Sequence, residues 1–408
     1  MKKLLLPLAA AALLCASCNG IDNSGKNNPY KVLELSTKGA GFVEQGNVFA
    51  FQFIDKINEE ESGDYIISPL SMQFLLGMIL NGAQGATAEE ICSVLGYGAG
   101  ETAEVNDFCR SLLTQLPAMD KQTKLTIANA IFVDDGWPLK KEYVSTVGKA
   151  YDAEVTNLDF SDGAGSLREI NGWCNRQTNG MIPKVLDEVS PEMLAYLMNA
   201  MYFKGQWKEK FQKGSTADET FTDASGKELT VKMMKQEKEF GYTENDIFQA
   251  VRLPYGNGVY AMTVLLPKDG YGIADIIGSL QEKSWRDFSW EMSSCTVNLW
   301  LPRFETKYKK KLNDILSEMG MPTSFDESLA DFKAMSDFAG YLSYVQQDAI
   351  IKVDEEGTEA AVVSHAGMVK DTAMPSQYAV FHADHPFLYL ITENSSSAIL
   401  FAGKYSGK

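Results

Sequence analysis

Residues 355 to 380 read EEGTEAAVVSHAGMVKDTAMPSQYAV and lie between two strand-like runs, 343 to 353 and 385 to 392. The segment is long, rich in small residues and only weakly apolar. Connections of this length inside compact domains are usually functional. Taken at period two from Thr358, one face reads Thr358, Ala360, Val362, Ser364, Ala366 and Met368, without a charge. The other face reads Glu359, Ala361, Val363, His365, Gly367 and Val369. A stretch of this kind can enter a sheet with its uncharged face inward and its charged residue in water. Gly357 supplies backbone freedom for a bend. No proline stands between 357 and 374 to remove a ladder amide. An ordinary exposed linker fits the same composition equally well.

The rest of the chain supplies a body. Its 408 residues are 45% hydrophobic and 22% charged, which provides for a large core and argues against bulk disorder. Ser68-Pro69 is a helix start, a serine cap followed by proline at the first helical position. The LSMQFLLGMIL run that follows is apolar nearly all round and predicts a deeply buried helix. Asn47 reads as the cap of a helix whose Ala50, Phe53, Ile54 and Ile57 share a face. Thr87-Ala88-Glu89-Glu90 reads as a capping box opening a helix that stops near Gly96. Residues 104 to 116, 138 to 149, 166 to 177 and 308 to 319 also read as helices. Further strand-like runs occupy 124 to 132, 195 to 203, 247 to 253, 258 to 266, 295 to 301 and 398 to 404. Helices dominate the first third and strands the remainder, with no repeat and no obvious linker. That order predicts a single α+β domain.

The first 17 residues stand apart. Lys2 and Lys3 precede an apolar run of 11 residues, Leu4 to Leu14, too short to span a bilayer as a mature helix. Cys15-Ala16-Ser17-Cys18 follows and resembles a bacterial lipoprotein signal, which implies cleavage before Cys18 and lipidation of its thiol. An ordinary secretory signal is the alternative, and both readings export the protein. The expected divisions are a signal over 1 to 17, a lipidated, flexible tether over 18 to 44, and a folded domain over 45 to 408. The expected location is the cell envelope, at the outer membrane or cell surface, or the medium after release. Loss of two lysines with the signal leaves 54 acids against 35 bases, a formal charge of −19. Such a surface repels phosphate backbones, so nucleic-acid binding is excluded as a function class. Cys92, Cys109, Cys174 and Cys295 form no C-x-x-C pair and read mostly as buried thiols, with a disulfide left open by export.

Catalytic readings fare poorly. The three histidines are His365, in the long segment, and His382 and His385, in FHADHPF. In an extended strand His382 and Asp384 share a face while His385 points away, so no metal site is expected. The chain has no G-x-S-x-G, H-E-x-x-H or Walker lysine motif. The GAQGAT stretch at 82 to 87 lacks a lysine and reads as a helix end before the next cap.

An ordered set of stretches is more specific. YIISPLSM, NGAQGATAEEI, LTIANAIFVDD, MNAMYFKGQWKEKF and VRLPYGNGVYAMTVLLP are followed by LPRFETKYKKKL, IIKVDEEGTEAA, ADHPFLYLI and AILFAGKY. From about Gln45 to Tyr405 the chain resembles a serpin. The resemblance implies an α+β fold of three β-sheets with about nine helices, and an exposed reactive-centre loop at about 355 to 380. It implies a suicide-type inhibitor of serine endopeptidases, with cysteine proteases as a further target class, rather than an enzyme. The protease would be held as a covalent acyl complex when the cleaved loop inserts into the central sheet as an added strand. No cofactor is expected, and the chain is expected to be a monomer that reaches the membrane through its N-terminal lipid.

The resemblance also assigns residues. Glu355, Gly357, Thr358, Glu359, Ala360 and Ala361 match the hinge. Ser68, Ser71 and Asn199 match the shutter, a polar cluster beneath the central sheet, and Trp207 matches the breach. The histidine usual eight residues before the hinge glutamate is Gln347 here, so pH sensitivity at that position should be lost. Lys309 to Lys311 read as a solvated helix face. The reactive bond is expected within 369 to 374, with Lys370–Asp371 the first choice and Val369, Thr372, Ala373 and Met374 as alternatives. A non-inhibitory serpin acting as a surface carrier or binding lipoprotein is the competing function. It predicts a bulky, charged or proline-containing hinge, which Thr358, Ala360 and Ala361 do not supply.

Overall fold

The computed structural model describes residues 28–358 and 377–407. The elements of the first half are α1 (Thr37–Glu60), β1 (Tyr65–Ile67), α2 (Pro69–Leu80), α3 (Gly85–Leu95), α4 (Thr102–Gln115), β2 (Thr123–Asp134), α5 (Lys141–Tyr151), β3 (Glu154–Leu158), α6 (Gly163–Gln177) and β4 (Ala195–Gln206). There follow β5 (Ala217–Thr222), β6 (Glu228–Glu244), β7 (Phe248–Pro254), β8 (Tyr260–Pro267), α7 (Ile273–Glu282), α8 (Trp285–Trp290), β9 (Ser293–Pro302), β10 (Phe304–Lys311) and α9 (Asn313–Met319). The chain closes with β11 (Gln346–Asp354), β12 (Gly357–Thr358), β13 (Tyr378–His382), β14 (Phe387–Glu393) and β15 (Ala398–Tyr405).

The α+β architecture is the expected one. A six-stranded sheet runs β10-β11-β12-β4-β2-β3. The remaining strands form one hydrogen-bonded path, β1-β15-β14-β8-β7-β6-β9-β13, with β5 also on β6. The two smaller sheets of the expected three are joined through β6. Its first residues pair with β5, the stretch from Met233 to Tyr242 pairs with β9, and the last four residues, Gly241 to Glu244, pair with β7.

Local chemistry explains the placement of the central elements. Ser68 caps α2 by accepting from the Ser71 amide, with Pro69 at the first turn, and every residue of α2 is buried beneath the six-stranded sheet. On the sheet's other face, α6 covers a separate apolar cluster that includes Phe132, Trp173, Tyr196 and Ala200.

Four sequence expectations are corrected. Asn47 is no cap: α1 begins at Thr37, and Asn47 lies buried in mid-helix, where its amide donates to Ser397 O and accepts from Ile399 N. The stretch from 28 to 44, expected to be tether, is bonded to the body at Asn28 and forms the first turns of α1 from Thr37. Helix α3 starts at Gly85, and the Thr87 hydroxyl accepts from the Asp331 amide instead of capping. Residues 308 to 311 are strand rather than helix; β10 alternates inward Phe304, Thr306 and Tyr308 with outward lysines. Lysines suit β10 because it is a sheet edge, where charge discourages unwanted pairing.

Cys92, Cys109, Cys174 and Cys295 are all free and buried. Burial pushes the Cys109 thiol up to about 12, against a lowering hydrogen bond from Tyr151. A chain lacking residues 1 to 18 should therefore show almost no reaction with a thiol reagent at neutral pH when native, and four reactive thiols when unfolded. Fast labelling of native protein would contradict the packing described.

Candidate functional site

The site is a gap in a sheet. Strands β4 and β11 are not paired with each other among the described residues; only the two-residue β12 stands between them. Gly357 pairs with Asp354 on one side and Gln206 on the other, and Thr358 with Val353 and Gly205. Below Thr358 no strand of the described residues lies between β4 and β11. An upper cavity of about 70 Å³ is lined by Met201, Asn199, Ile350 and Asp348, and a lower one of about 470 Å³ by Tyr196, Met198, Tyr344 and Trp137. A sheet interior normally satisfies its backbone groups through ladder partners on both sides.

The top of the gap is held by tight packing. Trp207 stacks on Tyr255 with ring centroids 4.5 Å apart, and its Nε1 donates to Asp354 O at 2.8 Å. Trp207 N donates to Glu356 O at 2.9 Å. The Tyr255 hydroxyl lies 2.7 Å from Thr358 Oγ1. Gly357 has φ of +150°, and a Cβ there would collide with Gly205 O. Glycine is therefore required at 357 by close backbone approach as well as by conformation.

Glu355 is buried and carries the ion pair of the turn. Its carboxylate accepts from Arg303 Nε at 2.8 Å, from Arg303 Nη2, and from the Thr216 hydroxyl. Burial would raise this carboxyl, but the Arg303 and Thr216 hydrogen bonds outweigh it and hold it below the usual carboxylate range. Glu356 is paired with Lys210 at 2.8 Å and Lys213 at 3.3 Å.

Lower down, a polar cluster links β11, β4 and the start of α2. Gln347 makes a two-way clasp on Ser68: its Oε1 accepts from Ser68 N at 3.0 Å and its Nε2 donates to Ser68 O at 2.9 Å. The Ser68 hydroxyl donates to Leu400 O at 2.7 Å. Ser71 Oγ donates to Asn199 Oδ1, and Asn199 Nδ2 donates to Asn129 Oδ1 at 2.8 Å. Asn129 Nδ2 continues the chain to Tyr151 O at 2.6 Å.

The sequence-selected Ser68, Ser71, Asn199 and Gln347 thus form one cluster, and Trp207, Glu355, Gly357 and Thr358 another. Glu359, Ala360, Ala361, Val369, Lys370, Asp371, Thr372, Ala373, Met374 and Cys18 lie outside the described residues. Sequence reasoning missed Arg303, Thr216, Tyr255, Gly205 and Asn129. Asn129 sits in the LTIANAIFVDD run opposite Asn199 in register, so strand pairing could have found it. Arg303 and Thr216 are distant in sequence from Glu355, and nothing local marks them. His382 stacks on Trp300 and bonds Asn298, whereas His385 bonds Asp384 and Pro267 O.

The family described as Serpin (serine protease inhibitor) matches residues 44–407. The chain is 30% identical to an uncharacterized serpin-like protein of Methanosarcina mazei, over 98% of this chain and 97% of that one. It is 34% identical to the leukocyte elastase inhibitor of Xenopus tropicalis, over 88% and 97%. The thermophilic serpin tengpin in its native state superposes with a TM-score of 0.83 at 27% identity, covering 93% of this chain and 97% of that one.

Asp348 lines the gap from β11. Burial pushes its carboxyl up to about 6, against the lowering effects of the Gln346 hydrogen bond and Lys309. A folded-state value above the unfolded one means stability fully present below about pH 4 and lost as pH rises through about 6. Asp348→Asn should remove that loss, raising stability at pH 7 by roughly 1–2 kcal/mol after discounting for partial exposure, with little change at pH 4. Denaturant melts at both pH values check this, and an equal change at both would refute it.

Proposed function

The chain belongs to the serpin family, and on that footing we propose that it is a suicide-type inhibitor of serine endopeptidases, exported and held to the bacterial cell envelope through lipid on Cys18. Serpins are mostly protease inhibitors rather than catalysts, and two curated relatives carry inhibitor-type names, leukocyte elastase inhibitor and neuroserpin.

One observation supports the inhibitory reading: Gly357 and Thr358 pair between β4 and β11 as two rungs of a strand, and no other described residue occupies that place. Thr358 is buried, 3% exposed, with its side chain toward the core. Continuing that alternation sends Ala360, Val362, Ser364, Ala366 and Met368 inward, the uncharged face, and Glu359 and His365 outward. Continuing the register from the Thr358–Gly205 pair sets residue 368 opposite Ala195, the far end of β4. A twelve-residue strand at ~3.3 Å per residue spans roughly 40 Å. Insertion would carry an acylated protease that distance, and a catalytic site that depends on sub-ångström placement would be pulled out of register.

The Lys370–Asp371 bond remains the first choice for cleavage, directing the inhibitor at trypsin-like enzymes. Val369 or Ala373 would direct it at elastase-like ones, in keeping with the elastase-inhibitor relative. A carrier function would require no insertion, and the seated hinge supports insertion instead.

Incubation with trypsin-like and elastase-like proteases should give an SDS-resistant complex. Thr358→Arg places a charge where Thr358 meets the Tyr255 hydroxyl, at a cost of several kcal/mol. The variant should be cleaved as a plain substrate with no stable complex. Cleavage of the unaltered chain without any complex would favour the carrier reading.

A further inference from the structure

We propose that the hinge-bearing end of the molecule is its membrane-facing end, seated on an anionic phospholipid surface by the residues around the exit of the N-terminal strap. This rests on the lipid attachment at Cys18 proposed above. The strap is bonded to the body along its length. Asn28 Nδ2 donates to Asp120 Oδ1 at 2.6 Å, and Asn28 Oδ1 accepts from Lys121 N at 3.0 Å. Pro29 O accepts from Asn257 Nδ2 at 3.0 Å, and Leu33 N donates to Ser395 Oγ at 2.8 Å. Glu34 N donates to Gln115 Oε1 at 2.9 Å.

These bonds fix where the upstream chain departs. Asp120 Oδ2 accepts from the Thr123 hydroxyl at 2.6 Å. Thr123 pairs with Gly205, and Gly205 with Thr358. Two strand spacings put Thr123 about 10 Å from Thr358. The strap therefore leaves at the same end of the six-stranded sheet that holds the hinge. Nine residues, 19 to 27, separate Asn28 from Cys18, a reach of at most roughly 35 Å.

The surface at this exit differs from the rest of the molecule. The mature chain carries −19 overall and would be repelled by anionic lipid. Around the exit, however, stand Lys31, Lys121, Lys124 and Lys204, the last two directly opposite each other across β2 and β4. Of the acids at this end, Glu355 and Glu356 are held by Arg303, Lys210 and Lys213, Asp120 accepts from Asn28 and Thr123, and Glu34 is exposed on the strap. Tyr30 and Val32, on the strap itself, are 50% and 63% exposed. A tyrosine and an aliphatic side chain beside lysines suit the headgroup boundary of a bilayer. A protease captured here would begin at the lipid side and be carried outward as the strand inserts.

The test couples the mature chain through Cys18 to a maleimide phospholipid in vesicles of phosphatidylcholine and phosphatidylglycerol. The buried state of the other four cysteines makes that coupling selective. A donor dye is placed through an azide-bearing residue at position 215, beside the hinge, or at position 329, near the opposite end of the gap. Energy transfer to a headgroup acceptor should be several-fold higher from 215, and equal or higher transfer from 329 overturns the proposal. Reversing the charges with K121E, K124E and K204E together should bring the two signals closer. An unchanged difference would remove the lysines from the seating. Mass analysis of Cys18 and the protease assay test the anchor and the inhibitory reading separately, and neither result alters the order of the two transfer signals.

Discussion

Two residues of backbone, Gly357 and Thr358, join the two sides of the central sheet. They supply the only described pairing between β4 and β11. Ladder hydrogen bonds are nearly always satisfied in a sheet interior. By the reading proposed above, β4 and β11 keep pairing capacity for a further strand beneath the second rung. In the proposed mechanism that capacity is the driving energy, and the native chain is trapped kinetically rather than at its lowest free energy.

The surrounding chemistry serves to seat those rungs while keeping the gap passable. At the top, Trp207 and Tyr255 fix the first rungs, and the Arg303–Glu355 pair fixes the turn that leads into them. In the middle, Gln347 clasps the backbone of Ser68, and Ser71, Asn199, Asn129 and Tyr151 O form a continuous relay from α2 through β4 and β2. Hydrogen bonds of this kind contribute about 1 kcal/mol each net, but leaving a buried partner unmet costs more. In the proposed mechanism the relay would resist partial opening and re-form once the inserted strand is in place. A glutamine at 347 accepts and donates without titrating, so the clasp itself is indifferent to pH. Asp348, the next residue, is the group on β11 whose charge state changes near neutrality.

Much of the fold was legible because the signals were local. Ser68-Pro69 marked α2, and an unbroken apolar run marked its complete burial. Runs rich in aliphatic and aromatic residues marked β8, β14 and β15. The failures have physical causes. The strand β6 carries lysines and glutamates along a surface exposed on one side, and its apolar residues are too sparse to announce it. Three consecutive lysines disguised β10 as a helix face, although inward Phe304, Thr306 and Tyr308 hold strand alternation. Asn47 resembled a cap because asparagine is favoured there, whereas its amide is committed to the β14–β15 turn. In the site, the residues found from sequence lie in family-like runs. Arg303, Thr216 and Tyr255 reach the hinge only through tertiary structure, and no spacing in the chain foretells that.

The stored-energy mechanism is tested most directly by a single cut. The chain is nicked between Gly357 and Pro375 by limited proteolysis, and the thermal transition is compared with that of the intact chain by calorimetry. Completion of the ladder between β4 and β11 predicts a transition tens of degrees higher after cleavage. A nicked protein that melts at or below the temperature of the uncut one would show that no spring was wound in the gap.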